Sequence, residues 1–360
     1  MANRSGRLYI SDTHYHDFER FAVINDDGIN SRLQYTIDAT LEAVEAAAKE
    51  DISVLIHGGD CFHVRGKVSP SVLNPVIDMY RSIIEAGWEV YMIAGNHDLE
   101  SKESSELHNT ATALQSVGVR VINKPTINHD IKTAFFPWHS SKNDLLATML
   151  TAKKELEDGG HKVEEYNAVI HAPLNDVIVG IPNHGLNASQ LDKFGFKRVF
   201  CGHYHNFKEM GNVVSIGSLT HQKFGDVNSI SGYIIEDDGE LKQYECKSAP
   251  RFIDIDSEEP PDTQEELEEL VKGNYVRVRL KDATETDIAE MRQELKDAGA
   301  LDSLIQNTRT KGAATTRTAS TVSAGSSMET SVSDWIKGRG FDRSLEKDIE
   351  KAAIDILSEV

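Results

Sequence analysis

Four short clusters in this 360-residue chain hold residue types that bind metal ions or move protons. They are Ser11-Asp12-Thr13-His14, Gly59-Asp60-Cys61-Phe62-His63, Gly95-Asn96-His97-Asp98 and Gly202-His203-Tyr204-His205. Carboxylates, a carboxamide and imidazoles together make a mixed oxygen and nitrogen donor set. Such a set suits a borderline divalent ion such as manganese, iron or zinc. The donors outnumber what one ion accepts, so two ions are implied.

Each cluster follows a short apolar run: Leu8-Tyr9-Ile10, Val54-Leu55-Ile56, Val90-Tyr91-Met92-Ile93 and Val199-Phe200-Cys201. Runs of this length and composition read as buried strands. In parallel sheets, ligands gather at the carboxyl ends of the strands, so the clusters are expected to meet there. Between them the pattern predicts helices over residues 33–49, 70–86, 107–117 and 144–157, with Pro75 near the first turn of its helix. Strands are predicted at 119–122, 133–138, 168–170 and 197–201, then at 213–216, 232–235 and 241–246. Local pattern alone specifies an α/β fold.

The order Asp-x-His, Gly-Asp, Gly-Asn-His-Asp, a lone His, then Gly-His-x-His closely resembles the signature of the calcineurin-like metallophosphoesterase superfamily over roughly the first 250 residues. The resemblance implies two packed sheets, a β-sandwich flanked by helices. It also implies a bridging carboxylate, at Asp60. Carried over by motif, Asp12, His14, Asp60 and His205 would hold the first ion, and Asp60, Asn96, His171 and His203 the second. The lone His is assigned to His171 because it ends the strand Ala168-Val169-Ile170, and a strand end gives a fixed position. His184 is the rival, read as a surface loop residue. His97 would face the scissile phosphate and aid the leaving oxygen, while Asp98 orients its imidazole, caps the segment that follows, or does both. His16 is read as an exposed residue rather than a phosphate contact.

Departures within the motifs narrow the resemblance. Protein phosphatases of this superfamily read Gly-Asp-x-Val-Asp-Arg-Gly and Asn-His-Glu, where this chain has Gly-Asp-Cys-Phe-His and Asn-His-Asp. Those differences favour the double-strand-break repair nuclease branch, similar to the bacterial SbcD subunit, in which a His at the place of His63 lies near the substrate. Gly217-Ser218-Leu219 and Phe224-Gly225-Asp226 resemble further stretches of that branch. The implied function is a manganese-dependent DNA exonuclease and endonuclease subunit in recombination and repair, and the short chain suits a bacteriophage origin. It would act as a homodimer with an SbcC-like ABC-type ATPase that carries a coiled coil.

The organisation read on this basis is a nuclease domain over 1–249 and a small α+β capping unit over 250–306 that presents DNA. A Thr/Ser-rich linker over 307–333 and an amphipathic helix over 334–360 follow. The helix seeks a partner surface or docks on its own domain. A formal net charge of −20 argues against a nucleic-acid partner at face value, but two ions would offset the carboxylates of the site and much remaining acid lies in residues 256–269. That charge keeps a small-molecule phosphodiesterase, acting for example on cyclic nucleotides, as an alternative. A non-catalytic scaffold is disfavoured by the full ligand set. Three cysteines, Cys61, Cys201 and Cys246, suggest packing rather than a disulfide framework. No apolar stretch serves as a signal peptide or membrane span, so a cytoplasmic setting is expected, that of the host if the source is viral.

Overall fold

The computed structural model describes residues 6–100, 109–178, 185–256 and 260–308, together with Ile349. Apart from Ile349, the expected C-terminal helix lies outside the described residues, as do all of the linker beyond residue 308 and His184. Residues Met1–Thr308 form one compact unit and Arg309–Val360 a second.

Strands β1 (Arg7–Ile10), β2 (Val54–His57), β3 (Glu89–Ile93) and β4 (Arg120–Ile122) run parallel in that order. On the free side of β1, β11 (Gly232–Asp237) and β12 (Glu240–Glu245) extend the sheet antiparallel to six strands. The second sheet has the order β5-β6-β7-β8-β10-β9. Its centre is parallel: β6 (Thr133–Phe136), β7 (Asn167–His171), β8 (Val199–Gly202) and β10 (Val213–Ser215). The edges β5 (Thr126–Asn128) and β9 (Lys208–Met210) are antiparallel.

Side chains alternate between the two faces of a strand, and here both faces are apolar. Tyr9, Val54, Ile56, Tyr91 and Ile93 of the first sheet meet Phe135, Val169, Phe200 and Val214 of the second in one buried layer. Within it the Tyr9 and Phe200 rings stack at 3.8 Å. The intervening residues Leu8, Ile10, Leu55, Val90 and Met92 pack instead against helices α1 (Ser31–Ala48) and α2 (Pro70–Glu85). Helix α3 (Lys142–Asp158) and the short α4 (Ala188–Asp192) cover the second sheet in the same way. Helix α1 starts where Asn30 accepts the amides of Arg32 and Leu33, which satisfies donors a helix start leaves open.

One local expectation shifts, while α2 starts at Pro70 as expected, with Pro75 its sixth residue. The segment expected as a helix over 107–117 is a 3-10 helix, Thr110–Val117, where it is described.

After residue 250 comes a small layer of its own: β13 (Phe252–Asp256), α5 (Gln264–Val271), β14 (Tyr275–Lys281), α6 (Glu285–Asp297) and β15 (Asp302–Thr308). Its three strands are parallel, with Val276, Val278, Leu267, Val271 and Leu295 as the core. Strand β15 corrects the sequence reading, which began the linker at residue 307. Asn307 and Thr308 pair with Leu280 and Lys281 and close the sheet. The segment is too polar to show strand periodicity, and pairing with β14 makes it a strand.

Candidate metal centre

The carboxyl ends of β1, β2 and β3 in one sheet and of β7 and β8 in the other converge on one place. β1 leads into Asp12 and His14, β2 into Asp60, and β3 into Asn96 and His97. β7 ends on His171, and β8 leads into His203 and His205. Close packing depends on the motif glycines. A Cβ on Gly95 would lie 2.2 Å from Asp60 Oδ1, and one on Gly59 would lie 2.5 Å from His171 Nδ1. The backbone is also bent to fit: Asp12, His14, Asp60 and His203 have φ of 49°, 45°, 54° and 115°. Such values are uncommon away from glycine and cluster at functional sites.

Three donor trios result, each with its ligand atoms within 4.8 Å of one another: His14, His63 and His97 form one, and the other two are Asp12 with His14 and His205, and Asp60 with His171 and His203. Asp60 joins the last two, its Oδ2 being 3.3 Å from His171 Nε2 and 4.0 Å from His14 Nε2. Asn96 Oδ1 completes the Asp60 group, 3.2 Å from His171 Nε2 and 3.0 Å from His203 Nδ1. The seven residues expected from sequence to bind metal are thus brought together.

Several features fit bound cations. Asp12 Oδ1 is buried without a hydrogen-bond partner, although its Oδ2 accepts from Ser11 Oγ and the His203 amide. The Nε2 atoms of His14 and His205 face each other at 3.3 Å. Burial disfavours charge on His171, yet the Asp60 carboxylate outweighs it and raises the ring to about 9. A divalent cation would answer that negative field. His203, where burial dominates, is lowered to about 3 and so stays a neutral donor.

A further layer orients these candidate ligands. His171 Nδ1 donates to the Gly58 carbonyl at 2.8 Å, which leaves Nε2 toward the centre. Asp226 holds His205 Nδ1 at 3.2 Å and also accepts the amides of Gln222 and Lys223. Burial pushes the Asp226 carboxyl up, but its contact with His205 prevails and holds it below the usual range. His57, fully buried, accepts the Gly59 amide at Nδ1, so Nε2 is left to donate to Thr13 Oγ1 at 3.0 Å. Burial lowers its ring to about 3. Sequence reading passed over both supports. Asp226 stood in a recognised stretch without a role, and His57 lay inside the β2 run.

The residues placed near the chemistry divide. The His97 amide donates to Asp60 Oδ1 at 2.8 Å, and its ring Nδ1 bonds the His63 carbonyl at 2.7 Å. His63 stacks on His97 at 5.7 Å and lies 5.2 Å from the His14 ring. Asp98, expected to orient His97, does something else. Its buried carboxylate accepts the amides of Gly95, Phe62 and Cys61 at 2.9, 3.1 and 3.3 Å. It therefore ties the loop after β3 to the loop after β2, and the His63 carbonyl is what holds the His97 ring. His16 is not simply exposed: its ring packs against Phe18 at 4.8 Å and His63 at 5.1 Å. Cys61 and Cys201 are buried and free, as expected of packing residues.

Two packed sheets, helices outside, and paired Asp/His donor groups at the strand ends define a phosphoester hydrolase built around divalent metal ions. Residues 8–207, more than half of the chain, match the calcineurin-like phosphoesterase family, and the chain belongs to it.

Among curated proteins, it is similar to Exonuclease subunit 1 of Enterobacteria phage T4, with 29% identity over 206 residues. That match covers 55% of this chain and 56% of the phage protein. An uncharacterized protein of Acanthamoeba polyphaga mimivirus, R555, is 20% identical over 364 residues, 95% of this chain and 25% of that one. The chain thus spans about half the length of the first relative and a quarter of the second. Among solved structures, Pseudomonas putida nuclease MPE matches with a TM-score of 0.29 and 16% identity, over 66% of this chain and 87% of its own. A dimetal phosphatase from Danio rerio matches with a TM-score of 0.37 and 11% identity, over 64% and 91%. Among the described residues, no helix is long and apolar enough to cross a membrane.

Proposed function

We propose that this protein is a DNA exonuclease and endonuclease subunit that hydrolyses phosphodiester bonds at two divalent ions, with manganese as the working metal. The observation that carries the reading is the placement of Asp60, whose Oδ2 faces His171 of its own trio and His14 of the Asp12 trio. Asp12, His14, Asp60 and His205 would hold one ion and Asp60, Asn96, His171 and His203 the other. Bound there, the ions supply charge to the phosphate and activation of the attacking water. The protein's own residues do the remainder. His97, tethered through Nδ1, keeps Nε2 for proton delivery to the leaving oxygen. His63 stacks behind it and faces the incoming phosphate.

Support for DNA rather than a small ester comes from the phage relative, named an exonuclease subunit, and from β14. There Val276 and Val278 point into the core of the small unit, so Arg277, Arg279 and Lys281 alternate onto the face away from its helices, where Asp254 pairs with Arg277 and Arg279 and leaves these four residues a net positive charge. The word subunit in the relative's name also supports assembly with a partner. The reading is a homodimer whose residues 334–360 engage an SbcC-like coiled-coil ATPase in the cytoplasm. The net charge of −20 favours the second reading, a small-molecule phosphodiesterase. Linear duplex DNA and bis-p-nitrophenyl phosphate, each offered with manganese, separate the two. Manganese-dependent loss of the duplex, stopped by chelation, is expected. Hydrolysis of the ester with the DNA left intact would overturn the nuclease reading.

A further inference from the structure

Arg32 sits in the first turn of α1, where a cation opposes the helix dipole, and it is 9% exposed. Among the described residues, no carboxylate pairs with it. A buried charge placed against these local preferences requires other compensation. Its Nη2 donates to the Gln222 carbonyl at 2.7 Å and Nη1 to the Arg20 carbonyl at 3.3 Å. The guanidinium lies 3.8 Å from the centre of the Phe18 ring, 5.3 Å from Phe252 and 6.0 Å from Tyr275. Burial lowers its pKa to about 10, so it keeps its charge at neutral pH.

These contacts reach three parts of the molecule at once. Phe18 packs on His63 at 5.1 Å, beside the metal centre. Gln222 donates its amide to Asp226, the support of His205, and its side chain to the Thr13 carbonyl between Asp12 and His14. Phe252 and Tyr275 open β13 and β14 of the small unit. Phe21 packs against both rings, at 5.9 and 5.6 Å. One cation thus joins the small unit to both sides of the metal centre.

We propose that Arg32 is a positioning residue that fixes the small unit against the metal centre, and so sets productive binding of a polynucleotide without entering the chemistry. This rests on the nuclease reading above. A small ester needs only the ions and the imidazoles beside them. A polynucleotide also needs the β14 face held in register with them, so loss of the cation should separate the two substrates.

The test uses the full chain with saturating manganese and compares wild type, Arg32→Met, Arg32→Lys and Tyr275→Leu. KM and kcat are measured on an oligonucleotide and on bis-p-nitrophenyl phosphate, with hydrogen exchange followed in residues 252–256 and 275–281. Arg32→Met should raise the oligonucleotide KM by roughly tenfold, leave ester turnover within about twofold, and speed exchange in both strands. Arg32→Lys, which keeps the cation over the rings, should recover most of the KM. Tyr275→Leu, changed on the small-unit side alone, should reproduce the KM effect even if Arg32→Met does not fold. Equal loss on both substrates, no change on either, or an unchanged KM in Tyr275→Leu would overturn the proposal. Failure of the wild-type chain to cut DNA would instead sink the nuclease reading. Unaltered exchange in Arg32→Met would then count against Arg32 independently.

Discussion

Both carboxylate oxygens of Asp226 lie 3.2 Å from Nδ1 of His205, whose Nε2 faces His14 across 3.3 Å. The two residues are 21 apart in sequence, and the link gives a candidate ligand its tautomer and its angle. Asp226 is held in turn by the amides of Gln222 and Lys223, so the orienting group is itself fixed. Such outer partners govern affinity nearly as much as the ligands do.

Asp226→Ala should therefore weaken binding of one metal ion by about 10–100-fold while the fold persists. Titration calorimetry with manganese would show one site altered and the other near its original affinity. Loss of both sites together would mean that Asp226 holds up the whole centre rather than His205.

Asp60→Asn should impair both sites, because Oδ2 faces a donor of each trio. Hydrolysis of a phosphodiester should fall by roughly three orders of magnitude or more, on the scale set by losing transition-state charge stabilisation. Near wild-type activity with manganese would remove Asp60 from its bridging role.

His97→Ala separates chemistry from metal binding. The imidazole contacts the His63 carbonyl, and only the main-chain amide of His97 reaches Asp60, so the variant keeps that bond. Two ions should stay bound while the rate falls by about two to four orders of magnitude, the range for general acid–base catalysis. A lost ion, seen by anomalous scattering or calorimetry, would make His97 a ligand.

Asp98→Ala should act on stability. Three buried amides lose their acceptor, and leaving even one such group unsatisfied costs about 1–3 kcal/mol. Urea unfolding should reveal a loss of about 3 kcal/mol or more, with the two loops loosened together. A variant of wild-type stability whose pH–rate profile had shifted would return Asp98 to the imidazole.

Removing residues 309–360 should leave metal-dependent hydrolysis nearly unchanged, since Met1–Thr308 form a compact unit of their own. Association with the ATPase partner proposed above should be weakened. Precipitation of the shortened chain, or loss of basal hydrolysis, would place the tail within the catalytic unit's own core.

The candidate ligand set was legible because metal binding restricts residue type. A carboxylate or imidazole just past an apolar run must sit at a strand end, and Asp12, Asp60, Asn96 and His203 each follow one. His171 was legible for the same reason, as the last residue of β7. Strands whose two faces are both buried, such as β1 and β2, announce themselves by continuous apolar runs. Contacts between distant segments left no such trace. The acceptor role of Asp98 depends on amides 36 and 37 residues away, and nothing in Asn-His-Asp distinguishes it from a partner of the adjacent imidazole. Strand β15 has a polar composition and exists because β14 offers it a free edge. Arg32 reads as one more charge just before an amphipathic helix, until folding brings Phe18, Gln222, Phe252 and Tyr275 around it. Local order therefore determined which residues could do the chemistry. Which of them hold, orient or brace one another was decided only when the two sheets and the small unit closed, because those bonds join atoms that the chain itself does not bring together.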